Sequence, residues 1–458
     1  MKKRAFKILS SLMAMMILIS STAVAANAAV VDYEITNPYE SVTEYLGNMD
    51  NHYKTNLHTH STYSDADLDM VTMIEGFYDQ DFDILAFSDH GVIGREWDRA
   101  PHLEPLYQYQ IAMGKVQKHL TTPQYKSILA GTYQTEDALR TNQRGMQCVT
   151  NAIEANMLVV AKNHVNGYFT EAFEGVWGEE NDYETAVRRI HESGGVSHIN
   201  HPGDWLKSAN NPDIARDPEK VEIFASIMRK YDSCLGIEAL NAYDRPTRSD
   251  RILWDSLLQT IIPEGKRNVW GFSNSDAHNL KDIDTSFMDF ILPSYSMDNV
   301  RTAMENGTFF SVSRYAKNEL GDDFVGTGAY PQVTDISVDE ENDTISITGI
   351  NCKAIEWVAD GEVIKSETRE ENGEITTTIY LRSHSDDISC YVRAQLLGDG
   401  GICLTQPFIC DDGNMKDHAA TPSPEKQENF FSDIQRIIDL IVYIFKNNMI
   451  TGIFVKQW

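Results

Sequence analysis

The chain has 458 residues and a formal net charge of −29 at pH 7. A field this negative repels polyanions and argues against general binding of DNA or RNA through the phosphate backbone, whereas a small anionic substrate held by metal ions remains compatible with it. The length exceeds that of a usual single domain and predicts at least two domains.

The first residues have the composition of a secretory signal peptide. A basic start leads into an apolar run over residues 8–19, and Ala26-Asn27-Ala28 offers small residues for cleavage after Ala28. The apolar run is short for a bilayer span, so an uncleaved N-terminal anchor is only the alternative. We therefore expect residues 1–28 to be removed and the protein to be secreted or associated with the cell surface.

From about residue 54 to 315, short apolar runs alternate with helical patterns, which is typical of an α/β fold. Several of the runs end directly in His, Asp, Glu or Asn. In barrels of parallel strands, the ligating residues sit at the C-terminal strand ends, where the loops converge. The candidate strands are Ile84 to Phe87, Ile128 to Ala130, Met157 to Ala161, Val196 to Ile199, Leu235 to Leu240 and Val269 to Phe272.

Two stretches between these strands differ from them. Asp182 to Ser193 has helical apolar spacing, and Gly194-Gly195 ends the predicted helix. Residues 95–147 are polar, rich in Gln and aromatic residues, and carry little strand signal. They predict an insertion of helices and loops beside the site.

After Gly326-Thr327-Gly328 the pattern changes to the alternation of antiparallel strands, and Asp360-Gly361 is a good two-residue hairpin turn. We expect a small β-sandwich over 326–410 that acts as a supporting or binding module. A polar, proline-containing linker over 411–429 follows. Residues 430–458 predict an amphipathic C-terminal helix for contact with a membrane surface or the cell envelope, with packing against the enzyme or self-association as the alternative.

The six cysteines leave two possibilities open. Cys148 and Cys234 are isolated, while the other four crowd between 352 and 410. Disulfide bridges in the last domain and buried reduced thiols are equally compatible with this distribution.

Four short motifs at predicted strand ends combine histidines with carboxylates. They are HTHSTYSD at 58–65, SDHG at 88–91, NHPG at 200–203 and SDAH at 275–278. Two histidines two apart on an extended segment point to the same side, so both rings can reach one ion. One histidine at a strand end is more often structural, but four such motifs in one α/β unit predict a metal centre. Imidazole and carboxylate together suit zinc, manganese or iron.

In this order, the four motifs resemble the PHP (polymerase and histidinol phosphatase) domain of metal-dependent phosphoesterases, over about Lys54 to Tyr315. The resemblance implies a distorted seven-stranded β/α barrel, placed at 29–325, and a site with two or three divalent ions. It also implies hydrolysis of phosphomonoesters or phosphodiesters by a metal-activated hydroxide. Two alternatives stay open: a metal-dependent hydrolase of carboxylic esters, carbamates or amides, and a non-catalytic surface binding protein.

Carried over by position, the resemblance assigns three ligand sets. A glutamate bridges the first two ions, and Glu154 in Ala152-Ile153-Glu154 looks like the family's Gly-Ile-Glu segment, with Gly131-Thr132-Tyr133 as a competing match. The sets are His58, His60 and Asp276 with Glu154 for the first ion, Glu154, His164 and His201 for the second, and Asp65, His90 and His278 for the third.

Further residues receive supporting roles. Glu238 is expected to support a ligand or touch substrate, or else to be structural, and Arg245 and Arg248 are candidates for binding the phosphate. His198 and Asp89 are expected to orient ligands. For the proton that the leaving group needs, His201 and Asp65 are both candidates.

Overall fold

The computed structural model describes residues 32–103, 117–156, 163–172 and 182–415. The predicted signal peptide, the candidate strand at 157–161, most of the linker and the predicted C-terminal helix lie outside these ranges. Over the described residues, no helix combines the length and the apolar character that crossing a membrane requires.

The fold is mixed α/β. The strands are β1 (Glu34–Thr36), β2 (His52–Asn56), β3 (Ile84–Ala86), β4 (Val92–Ile93), β5 (His102–Leu103), β6 (Gln147–Val149), β7 (Ile153–Ala155), β8 (Val165–Tyr168), β9 (Val196–Ile199), β10 (Cys234–Asn241), β11 (Trp270–Asn274), β12 (Ser286–Ile291), β13 (Phe309–Ser313), β14 (Gln332–Asp339), β15 (Thr344–Ala359), β16 (Glu362–Tyr380), β17 (Tyr391–Gly398), β18 (Gly401–Leu404) and β19 (Phe408–Asp411). The α-helices are Thr43–Leu46, Met70–Asp79, Thr122–Leu129, Tyr183–Glu192, Pro202–Leu206, Pro218–Lys230, Asp250–Gly265, Met297–Asn306 and Lys317–Leu320. Short 3-10 turns lie at Glu40–Val42, Met49–Asn51, Ser208–Asn210, Pro212–Arg216, Leu280–Asp282 and Leu381–His384.

Two sheets hold the strand ends of the predicted barrel. The five-stranded sheet has the order β11-β10-β9-β8-β7, and the larger sheet contains the run β12-β2-β3-β6. Over the described residues neither ladder closes on itself, so the closed seven-stranded barrel is not confirmed. Two isolated parallel bridges link the sheets. Thr59, which follows β2, pairs with Ala277, which follows β11, and His90, which follows β3, pairs with Glu154 in β7.

Most sequence-predicted elements of this half are confirmed. The strands β3, β9, β10 and β11 lie where they were expected. The helix Tyr183–Glu192 begins after Asp182, whose side chain accepts a hydrogen bond from the backbone N–H of Thr185, and it ends just before Gly194, at φ +80°.

The predicted strand at Ile128 to Ala130 is wrong. Ile128 lies in the last turn of the helix Thr122–Leu129. Thr121 and Gln124 form a capping box, and Pro123 stands in the first turn, so local signals start a helix that carries Ile128 onto its buried face. The other described residues of the insertion, 95–103, 117–121 and 130–146, lie mostly in loops, with the short strand β5.

The strands from β14 onward pair antiparallel, as predicted. Asp360 and Gly361 connect β15 to β16, and both have positive φ, which suits the expected two-residue hairpin. Strand β18 pairs with β13, so this region continues the larger sheet rather than standing apart from it. The proposed division into domains stays a prediction.

A buried ion pair ties the C-terminal strands to the helix Asp250–Gly265. The guanidinium of Arg393 donates to both oxygens of Asp255, at 2.9 and 2.8 Å. The hydroxyl of Tyr391 donates to the same carboxylate at 2.7 Å. All six cysteines are free and buried, which is the reduced-thiol alternative.

Candidate metal centre

Strand ends from both sheets bring the predicted ligands to one place. His58 and His60 follow β2, and His201 follows β9. His164 precedes its strand instead of following it, because β8 runs antiparallel to β9 and therefore begins at the edge where β9 ends. Sequence alone did not reveal this reversal.

Glu154 lies at the centre of the cluster, in β7, with 1% of its surface exposed. Its Oε2 atom is 3.2 Å from Nε2 of His58, 3.0 Å from Nε2 of His60 and 3.4 Å from Nε2 of His90. One carboxylate oxygen therefore faces three imidazoles at once.

The other oxygen of Glu154 faces a different pair of rings. Oε1 is 3.1 Å from Nδ1 of His164 and 3.3 Å from Nε2 of His201. A carboxylate that presents each oxygen to a separate group of imidazoles has the arrangement expected of a bridge between two ions.

Asp276 completes the predicted first set. Its Oδ1 atom is 3.2 Å from Nε2 of both His58 and His60. These three residues and Glu154 offer ligand atoms that all lie within 4.8 Å of one another.

The predicted third set lies at the more exposed side. Asp65 is 45% exposed, and its oxygens are 3.4 Å from Nε2 of His278 and 3.8 Å from Nε2 of His90. His90 also groups with Glu154 and His164 within 4.8 Å, so it stands between the second and third sets.

The donor chemistry fits divalent cations. The ring nitrogens Nε2 of His58 and His60, Nδ1 of His90 and His201, and Nε2 of His164 are buried and make no hydrogen bond. Buried polar atoms normally find partners, so the unpartnered Nε2 atoms of His58 and His60, which face Glu154 and Asp276, suit lone pairs directed at a cation. In His90, His164 and His201 the unpartnered nitrogen is the one opposite to the nitrogen that faces Glu154. Manganese, zinc and iron all accept such donors.

Electrostatics holds the cluster together without an ion. Burial disfavours a charged ring, but Asp276, Glu154 and Glu238 outweigh it and raise the pKa of His58 well above its ordinary value. Burial likewise opposes the charge on Glu154, yet His58, His90 and His164 hold its pKa well below the usual range. Bound cations would take the place of the protons on these rings.

Glu238 supports ligands from a fully buried position. Its Oε1 atom accepts a hydrogen bond from Nδ1 of His58 at 2.8 Å, and Oε2 accepts one from the backbone N–H of His201 at 3.0 Å. With 0% of its surface exposed, it fits the predicted supporting role and not substrate contact.

Asp89 fixes the loop that carries His60. It accepts hydrogen bonds from the backbone N–H and hydroxyl of Ser61, at 2.7 and 2.8 Å, and from the hydroxyl of Ser64 at 2.6 Å. Ser64 Oγ in turn lies 3.3 Å from Nδ1 of His60. Asp89 thus orients a ligand as expected, through a serine that the motif contained but to which we assigned no role.

His198 acts less directly than expected. Its Nε2 atom lies 3.0 Å from the hydroxyl of Tyr168, which donates to the carbonyl of Leu57 at 3.0 Å. His198 therefore acts, through Tyr168, on the backbone carbonyl of Leu57 and not on an imidazole of the predicted ligand sets.

Asn200 was missed by the sequence reasoning. Its Nδ2 atom donates to Oε1 of Glu154 at 2.7 Å, and its Oδ1 atom accepts from the backbone N–H of Asn166 at 3.1 Å. The sequence feature that could have indicated this role is the position of Asn200 directly before His201 in the NHPG motif.

Three other candidates are not brought into the cluster. Arg245 is exposed, and Arg248 is held by Asn318 at 2.9 Å and by Asp322 at 2.9 Å. Tyr133, of the competing segment for the bridge, donates its hydroxyl to Glu75 at 2.5 Å.

Comparison with known proteins returns solved structures only. No protein-family model matches the chain, and no curated protein does. A two-domain protein containing a predicted PHP-like metal-dependent phosphoesterase from Bacteroides vulgatus ATCC 8482 is 16% identical, with a TM-score of 0.39, and the match covers 78% of this chain and 96% of that one. The novel lesion-specific endonuclease PfuEndoQ from Pyrococcus furiosus is 13% identical, with a TM-score of 0.29, over 82% of this chain and 74% of that one.

Proposed function

We propose that the chain is a metal-dependent hydrolase of phosphomonoesters or phosphodiesters that uses two or three manganese, zinc or iron ions. The observation that carries the proposal is the position of Glu154, whose two oxygens face five imidazoles drawn from the ends of four strands. Divalent ions held there polarise phosphoryl oxygens and lower the pKa of water, which is the chemistry that phosphoester hydrolysis needs.

The ligands around the cluster are imidazoles and carboxylates. Arg248 is held by Asn318 and Asp322, so the ions themselves would match the negative charge of a phosphate there. This favours a small anionic substrate that approaches from the side of Asp65 and His278, which are 45% and 33% exposed at their side chains.

Two residues were candidates for giving the leaving group its proton. Burial disfavours the charge on Asp65, but His278, His60 and His90 lower its pKa, so it stays a carboxylate. Burial also disfavours a charged His201, but Glu154 and Asp276 outweigh it and raise its pKa in the absence of ions. Bound cations would displace the proton from His201, so in the ion-loaded site both His201 and Asp65 act as ligands.

We also propose export, on the composition of residues 1–28, and contact of residues 430–458 with a membrane surface or the cell envelope. Neither proposal affects the chemistry of the site.

Hydrolysis of p-nitrophenyl phosphate and bis-p-nitrophenyl phosphate by protein loaded with manganese, zinc or iron tests the function. We expect turnover of at least one of them and its loss on addition of a chelator. Turnover of p-nitrophenyl acetate or a carbamate alone would replace phosphoester hydrolysis by the first alternative. Fewer than one bound ion per chain would favour the non-catalytic alternative.

A further inference from the structure

One buried carboxylate contacts ligands from two different predicted ion sets. Glu238 lies in β10, next to the strand that leads to His201, and has 0% of its surface exposed. Its Oε1 atom holds Nδ1 of His58, from the first set, and its Oε2 atom holds the backbone N–H of His201, from the second set.

The contact with Glu238 selects one tautomer of the His58 imidazole. When Nδ1 carries the proton that it donates to Glu238, the opposite nitrogen, Nε2, presents its lone pair toward Glu154 and Asp276. A carboxylate in this place also makes the ring more basic and therefore a better ligand.

The contact with His201 fixes an unusual backbone. His201 has φ +29° and ψ +53°, in the left-handed region that residues other than glycine rarely adopt. Such a conformation persists only where neighbouring groups hold it, and the hydrogen bond from the His201 N–H to Glu238 at 3.0 Å is such a restraint.

Two amides fix Glu238 in turn. Asn274 donates to Oε1 and Asn241 donates to Oε2, both at 3.0 Å. Each oxygen thus accepts one hydrogen bond from a ligand residue and one from an asparagine, which leaves the carboxylate little freedom to rotate.

We propose that Glu238 is a positioning residue that couples the first and second ion sites, so that its loss weakens both sites together. The inference rests on the proposed metal centre and adds to it a single residue on which both ions depend. Asp276 and Asp65 each belong to one predicted set, whereas Glu238 belongs to none and contacts ligand residues of two.

The test is a competition titration of Mn²⁺ and Zn²⁺ against a chelator, with the bound ions counted by elemental analysis, on wild-type protein and on Glu238→Gln. Glutamine keeps the size but replaces one acceptor oxygen by a donor. We expect the affinities of two ions to fall together, each by roughly 10–100-fold. Asp255→Asn is the matched control, because it alters a buried carboxylate that pairs with Arg393 and touches no ligand.

Loss of affinity for only one ion, or unchanged affinity for both, would overturn the inference. Wild-type protein that binds fewer than two ions would overturn the inference and the proposed function together, so the two failures are distinguishable. If Glu238→Gln does not fold, Asn241→Ala, which removes one hydrogen bond to Oε2, takes its place. This variant must then lower the affinity for both ions in parallel, by a smaller factor than Glu238→Gln. A lower affinity for one ion alone would again contradict the coupling.

Discussion

The carboxylate of Glu154 and the imidazole of His60 approach to 3.0 Å, between Oε2 and Nε2, without the geometry of a hydrogen bond. The two atoms are close and buried but poorly aligned for a hydrogen bond, which is the arrangement expected when both are directed at the position of one ion. The predictions below follow from that arrangement and from the contacts that maintain it.

Replacing Glu154 by glutamine should remove ion binding at the first and second sites. The change takes away the negative charge that faces five imidazoles, so hydrolysis should fall by more than the roughly 10–100-fold caused by loss of a ligand-orienting residue. Elemental analysis and p-nitrophenyl phosphate hydrolysis measure the two effects. Glu136→Gln is the control, because Glu136 is exposed and lies in the insertion. A full ion complement in Glu154→Gln would refute the bridge.

Replacing Asp89 by asparagine should weaken ion binding through His60. Asparagine offers one acceptor oxygen in place of two. Either the Ser61 hydroxyl, which donates to Oδ2, or the Ser61 N–H and the Ser64 hydroxyl, which donate to Oδ1, therefore lose their acceptor, and the loop that carries His60 is held less firmly. We expect roughly 10-fold weaker binding of one ion. Asp81→Asn is the control, since Asp81 also accepts from a backbone N–H and a hydroxyl of one residue, Thr141, but touches no ligand. Equal effects of the two changes would indicate general destabilisation.

The pair His52 and Asp289 should make stability depend on pH. Burial disfavours a charged ring, but Asp289, 2.8 Å away, outweighs it and raises the pKa of His52 above the ordinary 6.5. A raised pKa in the folded state gives stabilisation that is complete below about pH 6.5 and is lost as the pH rises through the folded value.

Urea unfolding of chelator-treated wild-type protein and His52→Gln measures this effect. The difference in unfolding free energy should be about 1.5–3 kcal/mol at acidic pH and should shrink above neutrality. A difference that stays constant or grows with pH would show that the charge on His52 contributes nothing.

The six buried cysteines predict a specific thiol count. Burial raises the pKa of the Cys234 thiol to about 11 and that of Cys352 to about 11, which suppresses the reactive thiolate. Native protein should therefore react slowly with a thiol reagent, and protein unfolded without reductant should yield six thiols. A count of four or two would mean that bridges form after all, as the sequence also allowed.

The spacing of residues within the motifs was enough to predict much of the candidate site. Asp276 and His278 follow β11, a strand that the apolar runs indicated, whereas β2, which precedes His58 and His60, was not among the predicted strands. Short-range spacing within a motif is a local property of the sequence, and the structure brings His58, His60, Asp276 and Glu154 together.

Other features depend on contacts that no local pattern contains. The antiparallel direction of β8, the hydrogen bond from Asn200 to Glu154 and the pairing of β18 with β13 all join residues far apart in the chain. The error at Ile128 has the opposite origin, since the capping signals at Thr121 and Gln124 were local and were overlooked.

An anomalous difference map from crystals grown with Mn²⁺ tests the central claim most directly. We predict at least two peaks that flank the carboxylate of Glu154, one beside His58, His60 and Asp276 and one beside His164 and His201. Manganese peaks elsewhere with none next to Glu154, or no peaks at all, would contradict the metal centre.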